Sequence, residues 1–274
     1  MRPWHLTLSS TTRHPLFPSE ARRHEAVLTV VRVCHAELVL FCVVDEHVHA
    51  VVLCDRGRCG YLARGLQLAL APLVAVPTQP THTGVIHGRN HMEEVHRYVL
   101  QQPAHHGLPG HPALWGGSCF LDLVGARRIP GLHLRLDDVL PRVPLATSCC
   151  YLGVPVEALR RASDEDLRDL GAKGLVAMAA SACAAPPDLR GRLPHIGRAR
   201  RAAGVLAHQV GISPRDMTWA MDIHPGSARK LAAGEAEPAD IEAIRRRVGL
   251  EQALRGLPLG PLPENSRGAS HRRG

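Results

Sequence analysis

Two hydrophobic runs separated by a two-residue polar turn constrain this chain most strongly. The runs "ELVLFCVV" (37–44) and "HVHAVVL" (47–53) are rich in β-branched residues, and only Asp45 and Glu46 lie between them. So short a connection joins antiparallel strands, because parallel strands need a crossover of a dozen or more residues. The sequence therefore predicts a β-hairpin, and the sheet in this part of the chain must be built around it.

The segments on either side of the hairpin extend it to the order β-α-β-β-α-β-α. Their assignment rests on period-two alternation for strands and on 3.6-residue periodicity for helices. The predicted elements are a strand at 5–10, a helix at 22–34, a helix at 60–73 disrupted by Pro72, a strand at 81–87, and an amphipathic helix at 91–102 stopped by Pro103. This order predicts a ferredoxin-like antiparallel sheet with helices packed on it.

The second half of the chain has a different composition. Residues 103–150 are rich in proline and glycine, which predicts surface wrapping and a linker. From about residue 152 the chain is rich in alanine and arginine, and three short helical segments follow one another at 197–211, 213–221 and 225–234. This pattern predicts a helix-turn-helix with the third segment as recognition helix.

The fold class predicted from these patterns is α+β, a ferredoxin-like antiparallel sheet with helices followed by an all-α helix-turn-helix domain. We expect a first domain at 1–130, a linker at 131–151, a helical DNA-binding domain at 152–257 and a disordered basic tail at 258–274.

The charge balance favours a polyanionic partner. The chain has 33 basic and 25 acidic residues, and every basic residue except Lys173 and Lys230 is arginine. The planar guanidinium group suits phosphate, although a bias of genome composition would also enrich arginine. Clustered basic side chains around the three helical segments are the predicted DNA contacts. They are Arg190, Arg192, Arg198, Arg200, Arg201, Arg229 and Lys230.

Membrane and disulfide signals are both weak in this sequence. The longest apolar stretches, such as 68–77, fall short of the roughly 18 residues needed to cross a bilayer. No secretory signal is recognised at the start, and the eight cysteines include no C-x-x-C pair. We therefore expect a reduced, cytoplasmic protein without a membrane partner.

Two histidines occupy alternate positions of the second hairpin strand. Side chains at i and i+2 of a strand share a face, so His47 and His49 are predicted to project together. Two neighbouring imidazoles can chelate one divalent ion. With 18 histidines in the chain, such a pair also arises by chance. His87, His91 and His96 are expected to be solvent-facing or structural.

The helix predicted at 91–102 carries a tyrosine at the edge of its apolar stripe. Met92, Val95 and Val99 form the stripe expected to pack on the sheet, and Tyr98 and Gln102 lie four residues apart on one face. An edge position leaves a phenol in a groove beside the sheet, although an ordinary half-buried tyrosine has the same pattern.

These features together resemble a known family. The motif His47-Val48-His49, followed by "VHRYVLQQPAHHGL" (95–108) and "WGGSC" (115–119), is similar to the single-tyrosine transposases of the HUH nuclease superfamily, in particular the REP-associated tyrosine transposases. The similarity spans roughly residues 5–125. It implies a catalytic domain of HUH nuclease type in the first domain, with Tyr98 as nucleophile. It also implies that His47, His49 and Gln102 bind magnesium or manganese, with Gln102 standing where the family has an asparagine.

The resemblance implies metal-dependent cleavage and rejoining of single-stranded or hairpin DNA through a 5′-phosphotyrosine intermediate. The sequence leaves both a monomer and a homodimer open. The new phosphodiester conserves the energy of the cleaved bond, which fits the lack of a G-x-x-x-x-G-K-[ST] phosphate loop. One alternative is a catalytically inactive, domesticated DNA-binding regulator that uses the helix-turn-helix. Another is an unrelated metal-binding protein.

Overall fold

A four-stranded antiparallel sheet organises the first half of the protein in the computed structural model, which describes residues 1–12 and 14–255. The strands are β1 (Arg2–Ser9), β2 (Leu38–Val43), β3 (His47–Cys54) and β4 (His82–Val85). Their order in the sheet is β2-β3-β1-β4. The backbone N–H of Val44 donates to the carbonyl of His47 (2.9 Å) and closes the predicted hairpin.

Helices cover both faces of this sheet. The first three are α1 (Glu20–Cys34), α2 (Arg56–Leu70) and α3 (Gly88–His105). Cys54, on the even-numbered face of β3, interacts with Cys34 of α1 and Cys59 of α2, so these two helices share that face. The third helix lies across the odd-numbered face, which carries the histidines. The α+β class and the order β-α-β-β-α-β-α predicted from the sequence are therefore confirmed.

The second helix begins earlier than its periodicity predicts. The side chain of Asp55 accepts a hydrogen bond from the backbone N–H of Arg58 (2.8 Å) and caps the helix at Arg56. Two glycines near its start, Gly57 and Gly60, weaken the helical signal in the sequence, yet the capped helix forms.

The third helix passes through Pro103 and ends at His105, so the predicted stop at Pro103 is wrong. The end is set one turn later by a Schellman motif. The N–H of Leu108 donates to the carbonyl of Pro103 (2.9 Å), and the N–H of Gly107 donates to the carbonyl of Ala104 (3.0 Å). Gly107 adopts a φ of 60°, the left-handed conformation that the motif needs.

Residues 103–150 do more than wrap the surface, contrary to the sequence-based expectation. They form three short helices, α4 (Phe120–Leu123), α5 (Leu136–Val139) and α6 (Leu145–Tyr151). Phe120, Leu121 and Cys149 are fully buried in the same core as the sheet. Proline and glycine here mark tight turns between buried anchors rather than an exposed linker.

The segment 115–119 pairs with the outer edge of β2. The N–H of Val43 donates to the carbonyl of Gly117 (2.9 Å), and the N–H of Cys119 donates to the carbonyl of Phe41 (3.1 Å). The indole N–H of Trp115 donates to the carbonyl of Val43 (2.8 Å). The outward-facing backbone groups of Val43 and the carbonyl of Phe41 are therefore satisfied within the chain.

The remaining helices surround a second group of buried residues, many of them alanines. They are α7 (Asp164–Ala182), α8 (Pro194–Gln209), α9 (Pro214–Met221), α10 (Pro225–Ala232) and α11 (Pro238–Leu254). The three helical segments predicted at 197–234 are present as α8, α9 and α10. The division of the chain into domains stays a prediction, and the tail predicted at 258–274 lies outside the described residues. Among the described residues, no helix is long and apolar enough to span a bilayer.

Candidate active site and metal-binding residues

Three histidines meet on one face of the sheet. In the antiparallel register, His49 pairs with Thr7 and His47 pairs with Ser9, which brings His5 onto the same face of the neighbouring strand. The rings of His47 and His49 are nearly parallel (15°), with centroids 5.8 Å apart, as the alternation along β3 predicts. The ring of His5 lies 5.2 Å from that of His49.

A hydrogen bond between His5 and His49 bears on whether Nε2 of His49 can bind a ligand. Nε2 of His5 and Nδ1 of His49 are 3.1 Å apart. When His49 donates from Nδ1, its Nε2 is left with a free lone pair, since neutral imidazole carries one proton. That Nε2 is buried and has no hydrogen-bond partner, so in this tautomer His5 orients His49 for a further ligand.

The surroundings keep these imidazoles neutral. Burial, followed by the neighbouring His5, lowers the pKa of His49 well below its usual value. Burial, followed by His106, also lowers the pKa of His47. Burial is the main cause that lowers the pKa of His5 to about 4. Neutral imidazole is the form that binds a metal ion, so the site is prepared for one at neutral pH.

Tyr98 projects from α3 beside the histidines. The stripe of Met92, Val95 and Val99 is buried as predicted, whereas 45% of Tyr98 is exposed. The Tyr98 ring meets the His49 ring edge-on, with centroids 5.5 Å apart and an interplanar angle of 82°. A phenol in this position is open to a large ligand on one side and rests on an imidazole on the other.

Gln102 lies one turn further along the helix and is only 1% exposed. Its amide nitrogen donates to the backbone carbonyl of Tyr98 (3.2 Å), and its side chain interacts with His49. Tyr98 and Gln102 therefore lie on one side of the helix, as their spacing predicts, but Gln102 reaches the interior and Tyr98 does not.

The residues present fit a divalent metal ion. Nδ1 of His47 and Nε2 of His49 are both buried side-chain atoms without a hydrogen-bond partner. A buried, unpaired nitrogen costs free energy unless a ligand binds it. The amide oxygen of Gln102 is of the type that hard cations accept.

Sequence reasoning missed three residues of this site: His5, Glu46 and His106. Alternation in the first strand places His5 and Thr7 on one face, but only the register between β1 and β3 brings that face to the site. Ligand atoms of Glu46, His47 and His106 lie within 4.8 Å of one another. His106 was out of reach because the helix was predicted to stop at Pro103.

The side chains predicted to contact DNA differ in their exposure and in whether they already bind a partner within the protein. Arg198 donates from Nε to the buried Asp240 (2.9 Å), and Arg190 pairs with the exposed Asp222 (2.8 Å). Arg200 reaches the carbonyl of Gly191 (3.4 Å). The exposed members of the set are Arg190, Arg192, Arg201, Arg229 and Lys230.

Comparison with known proteins finds one similar solved structure and no matching family model or curated protein. Among solved structures, the chain is similar to one described as the REP-associated tyrosine transposase bound to a REP hairpin. The two sequences are 18% identical, the match covers 52% of this chain and 93% of that chain, and the TM-score is 0.36. Function is therefore inferred from the residues of the site.

Proposed function

We propose that the protein cleaves and rejoins single-stranded or hairpin DNA through a 5′-phosphotyrosine intermediate, as a transposase of the REP-associated type. The observation that carries the proposal is a half-exposed Tyr98 whose ring contacts His49, beside two buried imidazole nitrogens that lack partners. A nucleophile held next to a metal-ready pair of imidazoles is an arrangement that suits metal-assisted phosphodiester transfer.

In the cleavage step, the phenolic oxygen of Tyr98 attacks the scissile phosphorus. The bond from phosphorus to the tyrosine oxygen forms and the bond to the 3′ oxygen breaks. The phenolic proton passes to solvent, and the leaving 3′ oxygen takes up a proton from solvent. The products are a 5′-phosphotyrosine and a free 3′-hydroxyl. The reverse attack by a 3′-hydroxyl restores the phosphodiester, so joining needs no nucleotide cofactor.

His47, His49 and Gln102 are the residues that would hold magnesium or manganese. A divalent ion supplies positive charge to polarise the phosphate and to stabilise the charge that develops in the transition state. In the tautomer in which His49 carries its proton on Nδ1, His5 would support this set by accepting that proton in a hydrogen bond (3.1 Å).

The helices α8, α9 and α10 supply a second DNA contact in this proposal. Asp222, in a left-handed conformation (φ 53°), ends α9, and the side chain of His224 caps α10 two residues later. This short turn suits a helix-turn-helix, with α10 as recognition helix. The exposed Arg229 and Lys230 would contact phosphates. We retain 152–257 as the DNA-binding domain of this proposal and 1–130 as the catalytic domain.

The test of this proposal is covalent capture of DNA. The full chain is incubated with labelled single-stranded hairpin DNA from beside its own gene, with manganese, and run on a denaturing gel. We expect a protein–DNA adduct that Tyr98→Phe abolishes. Tyr61→Phe is the matched control, because Tyr61 is exposed on α2, away from the histidines, and its loss leaves the adduct unchanged. An adduct that persists in Tyr98→Phe would show that another residue attacks.

The second candidate function is a DNA-binding regulator without catalysis. The exposed cations on α10 favour it independently of the histidines. In that case the wild-type protein shifts the DNA on a native gel and forms no adduct, and Arg229→Ala with Lys230→Ala weakens the shift. Metal binding without DNA affinity at moderate salt would instead indicate an unrelated metal-binding protein.

A further inference from the structure

We propose that Glu46, His47 and His106 form a binding site for a divalent transition-metal ion such as zinc, cobalt or manganese. The site shares His47 with the ligand set proposed for DNA cleavage, but it does not depend on cleavage. Its ligand atoms, one from each residue, lie within 4.8 Å of one another. Ligands bound at about 2.1 Å to one ion lie up to about 4.2 Å apart, so a small side-chain movement completes the site.

Two turns of the backbone bring these residues together. Glu46 belongs to the hairpin turn, where its carbonyl accepts a hydrogen bond from the N–H of Ser10 (3.2 Å). His106 follows the last residue of α3, and its own N–H is bonded to the carbonyl of Gln102 (3.1 Å). The rings of His47 and His106 have centroids 5.1 Å apart. Both backbones are fixed, so the side chains are held near one another before any ion binds.

The side chains in this cluster are not committed to other partners. Among the described residues, no arginine or lysine forms an ion pair with Glu46, whereas the adjacent Asp45 is paired with Arg23 (2.6 Å). Nδ1 of His47 is a buried atom without a hydrogen-bond partner. Within the described residues, an ion would therefore not have to displace an arginine or lysine from Glu46 or a hydrogen-bond partner from Nδ1 of His47.

The donor set selects the class of ion. Two imidazoles and one carboxylate suit zinc, cobalt, manganese or iron, whereas magnesium and calcium prefer oxygen ligands throughout. All three residues are partly exposed, so an ion can enter from solvent.

The experiment is equilibrium metal binding by the full chain without DNA. Zinc is titrated in competition with a chromogenic chelator, and cobalt is followed by its visible absorption. We expect His106→Ala and Glu46→Gln each to weaken the tightest site by at least about tenfold, which is the lower end of the losses measured when a metal site is perturbed. His208→Ala is the control, because His208 is exposed on α8, outside the cluster, and its loss leaves the affinity unchanged.

Three other results would overturn the inference. The wild-type chain could fail to bind zinc or cobalt. His106→Ala and Glu46→Gln, each with a normal thermal melt, could bind as tightly as the wild type. His49→Ala and Gln102→Ala could weaken binding in their place, which would assign the ion to the ligand set proposed for cleavage. Tyr98→Phe separates the two proposals, because it removes the DNA adduct and leaves metal binding intact.

Discussion

His96 is a fully buried histidine on the same helix as Tyr98, but it has a structural role. Its Nε2 is 3.1 Å from the hydroxyl oxygen of Ser148, which lies on α6. Burial lowers the pKa of His96 to about 4. The expectation that this histidine is structural is consistent with its position, since it joins α3 to the segment that follows the site.

This depressed pKa predicts acid sensitivity at the scale of one residue. The unfolded chain protonates His96 near pH 6.5, whereas the folded chain does so only near pH 4. The contribution of the neutral, buried His96 to the free energy of unfolding is therefore fully present above pH 6.5. It is lost as the pH falls towards 4, by up to about 3 kcal/mol. Chemical denaturation across this range should show a shallower pH dependence for His96→Gln. The exposed His208→Gln should leave the curve unchanged, and equal slopes for all three proteins would contradict the prediction.

At the scale of elements, the segment 115–119 acts as a short edge partner of β2. Gly117 is needed there, since a Cβ atom at this position would lie 2.0 Å from the carbonyl oxygen of Val43. Arg127, which is buried, secures the same segment by donating to the carbonyls of Gly116 and Ser118 and to Asp122.

A matched pair of glycine variants tests this edge. Gly117→Ala should lower the free energy of unfolding by at least about 3 kcal/mol, because the backbone must move away from β2. Gly116→Ala should change it by less than about 0.5 kcal/mol, since nothing lies within 4 Å of the added Cβ. Urea denaturation measures both values. Similar losses in the two variants would mean that the contact with Val43 is not the cause.

The sequence predicted elements better than it predicted the contacts between them. Alternation and helical spacing identified the hairpin and the stripe on α3, because both patterns are local. The partnership of His5 with His49 depends on the register between two strands more than 40 residues apart, and no local pattern encodes it. His106 was missed because proline normally ends a helix, and here Pro103 does not.

At the scale of the whole molecule, a buried carboxylate connects the sheet region to the C-terminal helices. Asp240, in the first turn of α11, is 1% exposed. It accepts hydrogen bonds from Arg128, which follows α4 (3.0 Å), and from Nε of Arg198 on α8 (2.9 Å). Arg198, predicted from the sequence to contact DNA, is therefore engaged inside the protein.

Removing this carboxylate should destabilise the protein far more than breaking a surface pair. Asp240→Ala leaves two arginines without their counter-charge, and a loss of about 3 kcal/mol is expected. Arg190→Ala breaks the exposed pair with Asp222 and should cost less than about 1 kcal/mol. Thermal and urea denaturation compare the two variants. A loss in Asp240→Ala no larger than that in Arg190→Ala would show that other contacts join the two regions.

The covered edge of β2 also limits how copies of this protein can associate. An open strand edge is a template on which another chain can add a strand, and it is the common starting point of aggregation. Here β2 already has its partner in residues 115–119, and the opposite edge strand, β4, has only four residues, His82–Val85. A homodimer is therefore not expected to form by adding a strand beside Phe41 and Val43, because residues 115–119 already occupy that part of the edge.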